Sequence, residues 1–128
     1  MQVDTATLTV LLIDDREDCI TTLHLALEKL TGVVLRSAPT AEAAWDMLHH
    51  FPIAAVITDI QLPNMDGLEL ITRIRRDPDL RHLPIVVVSA DPNPGTPRKA
   101  LELGANAFFP KPFSPGAIRK KLEELIYG

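Results

Sequence analysis

Residues 10–18 read VLLIDDRED: four apolar side chains run straight into two adjacent aspartates. A strand with one wet face alternates apolar and polar residues. An unbroken run suits a parallel strand covered on both faces. Such a strand gains nothing from ending in paired like charges, so Asp14 and Asp15 ask for a partner at the strand end.

Four more apolar runs follow: VVLR, AAVIT, PIVVVS and AFF. Helical spacing fills the intervals. Ile20, Leu23, Leu27 and Leu30 mark one helix stopped by Gly32, and Ala41, Ala44, Trp45 and Leu48 a second, capped by Thr40. Leu68, Ile71 and Ile74 mark a third, closed by Asp77-Pro78. A short fourth surrounds Ala100–Leu103 and ends at Gly104. Ile118, Leu122, Leu125 and Ile126 mark the last, capped by Ser114. The proline-rich DPNPGTP at 91–97 predicts a late start for the fourth helix, with Thr96 as cap and Pro97 as first residue. Strand–helix alternation predicts right-handed crossovers and a three-layer α/β sandwich.

Bulk properties exclude several classes. The 128 residues suit one domain, taken as 1–128 with no output domain in the chain. Seventeen acidic against thirteen basic side chains give a net charge of −4, which argues against nucleic acid as the direct ligand. Cys19 is the sole cysteine, so no internal disulfide or cysteine-based metal site can form. No basic leader opens the chain, and no apolar run approaches the roughly 18 residues of a membrane span. The expectation is a soluble cytoplasmic domain with no membrane association.

In open parallel sheets, function gathers beyond the carboxyl ends of the strands. Strand one delivers Asp14 and Asp15, strand three Asp59, strand four Ser89 and strand five Lys111. Strand two delivers only Ser37, Ala38 and Pro39. An order of 2-1-3-4-5 makes the contributing strands contiguous and leaves the silent one at an edge. Two carboxylates about 5 Å apart repel by roughly 3 kcal/mol at an effective dielectric near 20. Three such pairs cost on the order of 10 kcal/mol, comparable to the stability of a whole domain. A divalent cation relieves this best, and hard oxygen donors select Mg²⁺, with Mn²⁺ as a substitute. Mg²⁺ prefers one or two carboxylates plus phosphate oxygens, so the site awaits a phosphoryl group. Lys111 and Ser89 suit its equatorial oxygens, and Asp59, alone on the central strand among apolar neighbours, suits the nucleophile.

The chain resembles the receiver domain of two-component response regulators over essentially its whole length. The likeness is carried by LLIDD, VITDIQLPNMDGLEL around Asp59, VVVSA and GANAFFPKPF. The resemblance implies a flavodoxin-like (βα)₅ fold and a phosphorylation-dependent signalling switch. It makes Asp59 the phosphoacceptor, with a sensor histidine kinase or phosphotransfer protein as donor. It implies Mg²⁺ held by Asp15, Asp59 and the Gln61 backbone carbonyl, with Asp14 acting largely through water. Lys111 would pair with the phosphoryl oxygens, and Lys111-Pro112 would be a cis peptide. Ser89 would move toward the phosphoryl group and let Phe108 turn inward as the switch aromatic. Such a protein is no enzyme beyond its own phosphorylation and dephosphorylation, and is a monomer or weak homodimer. Gln61 and Asp91 sit where relatives tune hydrolysis.

Other readings fit less well. A haloacid dehalogenase-type phosphatase wants Asp-x-Asp after the first strand, whereas DDRE has adjacent acids. A flavin-binding flavodoxin relative wants a Ser/Thr/Gly phosphate loop there, which DDRED would repel. A pseudo-receiver scaffold that is never phosphorylated is the remaining alternative. Met65 and Gly67 read as turn residues, the four histidines as structural or surface groups, and Trp45 as packing. Cys19 reads as a small helix residue beside the site.

Overall fold

The computed structural model describes residues 7–128. Five parallel strands alternate with five helices: β1 (Leu8–Ile13), α1 (Glu17–Leu27), β2 (Val33–Ala38), α2 (Ala41–His50) and β3 (Ala55–Thr58) form the first half. The second half is α3 (Gly67–Arg76), β4 (Ile85–Ser89), α4 (Thr96–Leu103), β5 (Ala107–Pro110) and α5 (Pro115–Tyr127). The sheet order is β2-β1-β3-β4-β5, as the placement of polar residues predicts.

The unbroken apolar runs are explained by two cores. Leu11, Ile13, Val56, Ile85 and Val87 pack against Leu70, Ile71, Ile74 and Ala100 on the α2–α3–α4 side. Their neighbours Val10, Leu12, Ile57, Val86 and Val88 meet Leu23, Leu27, Ile118 and Leu122 on the α1–α5 side. Successive strand residues face opposite ways, so the central strands β1, β3 and β4 are apolar almost throughout, whereas β2 at the edge leaves Arg36 and Ser37 exposed. Register then fixes the functional rim. Ile13 pairs with Thr58, and Thr58 with Val87, so the residues that follow emerge side by side.

Thr40, Asp66 and Ser114 cap α2, α3 and α5 by accepting from Ala43, Glu69 and Ala117 N–H respectively. The fourth helix departs from expectation by one residue. Gly95, not Thr96, is its N-cap, and Lys99 N–H donates to Gly95 O at 3.1 Å. Thr96 is buried inside the first turn and its hydroxyl donates to Asp91 Oδ2 at 2.9 Å. A side-chain bond thus outcompetes the capping role. The preceding loop satisfies itself at every second residue. Asp91 N–H donates to Ser89 Oγ, Asn93 N–H to Asp91 Oδ1, and Gly95 N–H to Asn93 Oδ1. Between them stand Pro92 and Pro94, which have no N–H to satisfy.

Candidate functional site

Asp14 and Asp59 leave neighbouring strands at the same level, tied by the bond from Asp59 N–H to Ile13 O at 2.9 Å. Both are buried, whereas Asp15 is exposed. One carboxylate oxygen from each of the three lies within 4.8 Å of the others. Backbone amides orient the two buried groups. Asp59 Oδ1 accepts from Ile60 N–H at 2.7 Å and Gln61 N–H at 3.2 Å, and Asp14 Oδ1 accepts from Arg16 N–H at 3.0 Å.

The opposite oxygens face Lys111. Its Nζ donates to Asp14 Oδ2 at 2.7 Å, to Asp59 Oδ2 at 3.1 Å and to Cys19 Sγ at 3.3 Å, using all three ammonium protons. Burial alone would push Lys111 down. The Asp14 hydrogen bond and the charge of Asp59 together override that and hold the ammonium above its ordinary range. Burial pushes the Cys19 thiol up, offset only in part by the Lys111 bond. The Lys111-Pro112 peptide is cis, and Lys111 N–H bonds Ser89 O at 2.9 Å, which fixes the lysine beside β4.

Above Asp59 opens a cavity of about 350 Å³ walled by Arg16, Gln61, Ala90 and Lys111 among others. It is the space in which a group reaching Asp59 would sit. The three carboxylates offer only hard oxygen donors, a set that fits Mg²⁺ or Mn²⁺ rather than a softer metal.

Asp14, Asp15, Asp59 and Lys111 therefore converge, and Gln61 lines the same cavity. Ser89 and Phe108 are not among the residues that line it. Ser89 follows Ile85 and Val87 on the α3–α4 face, its Oγ bonded to Asp91 N–H, and Phe108 packs half-buried on that same face. One neighbour of the site and one contact within it carried no signal in the residue pattern. Arg16 is masked by the acids around it, and the Cys19–Lys111 contact spans 92 positions.

Comparison with known proteins gives one answer. The family model for the response regulator receiver domain matches residues 10–123. Response regulator Rre1 of Synechocystis is 30% identical over 119 residues, covering 93% of this chain and 52% of that protein. A chemotaxis protein CheY homolog of Campylobacter jejuni is 29% identical over 118 residues, covering 91% of each. The chain thus spans about half of one relative and nearly all of the other. A solved response regulator structure from Chloroflexus aurantiacus superposes with a TM-score of 0.88 at 29% identity, covering 95% of this chain and 99% of that one.

Proposed function

Because the chain belongs to the response regulator receiver domain family, we propose that it is a phosphorylation-dependent switch of two-component signalling with Asp59 as phosphoacceptor. One observation carries the reading. Asp59 is a buried carboxylate, fixed by two amides and an ammonium, that faces an open cavity. Fixing the nucleophile in advance lowers the entropic cost of reaction, and Lys111 supplies charge where it develops.

The donor is a phosphohistidine on a sensor histidine kinase or phosphotransfer protein in the cytoplasm. An Asp59 oxygen forms the new P–O bond as the donor's P–N bond breaks, and the leaving imidazole keeps the electron pair and gains a proton. Asp15, Asp59 and the Gln61 carbonyl hold Mg²⁺, with Asp14 in support. Bound there, the ion supplies counter-charge for the phosphoryl oxygens. Lys111 exchanges a carboxylate partner for a phosphoryl oxygen. Ser89 gives up its bond to Asp91 N–H to reach the same group, and Phe108, on the shared face, follows it inward. The chemistry is confined to the protein's own aspartate.

Acetyl phosphate with Mg²⁺ tests this. Label on Asp59 that vanishes in Asp59→Asn is the expected result, and label that persists in the variant reassigns the acceptor. No adduct and no beryllofluoride binding would leave the scaffold reading.

A further inference from the structure

Arg16 stands where helix chemistry would not put it. It occupies the N-cap of α1 at φ −107° and ψ 120°, yet its side chain makes no capping bond. Ser, Thr, Asp or Asn would accept a helix N–H there. Arginine has no acceptor to offer, and its charge faces the positive end of the helix dipole. Local stability does not explain the residue.

Burial does not explain it either. The side chain is 65% exposed and its ionic partner Asp18 71%, with both guanidinium–carboxylate contacts at 3.3 Å. An ion pair this open to water is weak and easily exchanged. What Arg16 shares is the cavity over Asp59, which it walls together with Gln61 and Lys111. Its backbone N–H, bonded to Asp14 Oδ1, roots the side chain at the rim.

We propose that Arg16 is a second cationic contact for the phosphoryl group, leaving Asp18 to grip the equatorial oxygens of the group arriving at Asp59. The proposal rests on Asp59 as acceptor and adds a catalytic residue to that site. A guanidinium offers two parallel N–H donors to a phosphoryl group, where a lysine offers a point charge. Arg16 moves no proton. The Asp59 oxygen forms the P–O bond, the donor's bond to phosphorus breaks with its electron pair, and Arg16 stabilises charge on the oxygens between them. Asp18 is the resting partner, and with Glu17 it offsets the arginine's clash with the helix dipole.

Labelling rates with acetyl phosphate and Mg²⁺ test this in the wild type, Arg16→Ser, Arg16→Lys and Asp18→Asn. Arg16→Ser should slow labelling by about five- to ten-fold, Arg16→Lys less, and Asp18→Asn should speed it by about two-fold. The wild-type rate should also fall more steeply with salt than that of Arg16→Ser. Serine caps the helix, so Arg16→Ser should melt about 2–3 °C higher. Slower labelling in a more stable protein cannot come from a damaged fold. Wild-type labelling with Arg16→Ser unchanged, or slowed labelling in Asp18→Asn, overturns the Arg16 contact alone. A wild type that takes no label overturns it together with the acceptor assignment.

Discussion

Gly67 and Asp59 meet backbone to backbone. A Cβ on Gly67 would overlap the Asp59 carbonyl oxygen and lie 2.8 Å from Ile60 Cα. Gly67 N–H also bonds Ile60 O at 2.8 Å, so the first turn of α3 is pressed onto the strand end that holds Asp59. Neither backbone can yield cheaply. Gly67→Ala is expected to cost about 2–3 kcal/mol, read from the urea midpoint, and to slow Asp59 labelling with it.

Lys111 neutralises two buried acids at once, with Asp14 fully buried and Asp59 nearly so. Lys111→Met leaves both without their cation and should destabilise metal-free protein by about 3 kcal/mol near neutral pH, with Mg²⁺ restoring part of the loss. The folded value of Lys111 lies above its ordinary 10.5. Its contribution is therefore complete below about pH 10 and disappears as pH climbs through the folded value. Urea titrations of both proteins from neutral to alkaline pH check the direction. A gap that widened with alkalinity would contradict it.

The acidic trio should respond to Mg²⁺ before any phosphoryl group is present. At a concentration ten times Kd, binding to the folded state alone adds about 1.4 kcal/mol, a rise in melting temperature of about 5 °C. EDTA should reverse the rise. Asp15→Asn, which neutralises an exposed carboxylate without disturbing the core, should abolish most of it. Equal shifts in the wild type and the variant would place the ion elsewhere.

At the far end of the molecule His49 joins α2 to the close of α3. Its Nδ1 lies 2.8 Å from Trp45 O and its Nε2 3.0 Å from Asp77 Oδ2, so both nitrogens face acceptors and the charged ring fits best. The Trp45 carbonyl and then Asp77 raise His49 above 6.5, and His49 in turn lowers Asp77 below 3.8. The histidine's contribution is full below 6.5 and lost as pH rises through its folded value. The aspartate's is present above 3.8 and lost as pH falls. Wild type and His49→Gln should thus differ most at about pH 5 and converge in mild alkali. NMR titration of His49 should show a lower pKa in Asp77→Asn.

Much of this was legible in the residues. Apolar runs interrupted at helical spacing disclosed every element, because strands covered on both faces cannot hide polar residues. The acids and Lys111 were legible as strand-end residues, since a parallel sheet brings such ends together whatever their distance in sequence. What escaped depended on competition between local bonds. Thr96 looked like a cap until Asp91 claimed its hydroxyl. The His49–Asp77 pair spans 28 positions, and nothing in either helix alone announces it. Arg16 lay inside an acidic run whose average concealed the one residue of opposite sign.

Arg75 gives the sheet an anchored heel. From the close of α3 it bonds Gly104 O twice, Asn106 Oδ1, Arg81 O and Leu83 O, while Asn106 Oδ1 also receives Ile85 N–H. The foot of α4 and the beginnings of β4 and β5 are thereby riveted together, a sheet's height from the acids. The Gly104 end of α4 is therefore clamped to the sheet by a half-buried guanidinium, whereas its opposite end is tied down by a single side-chain bond, from Thr96 to Asp91.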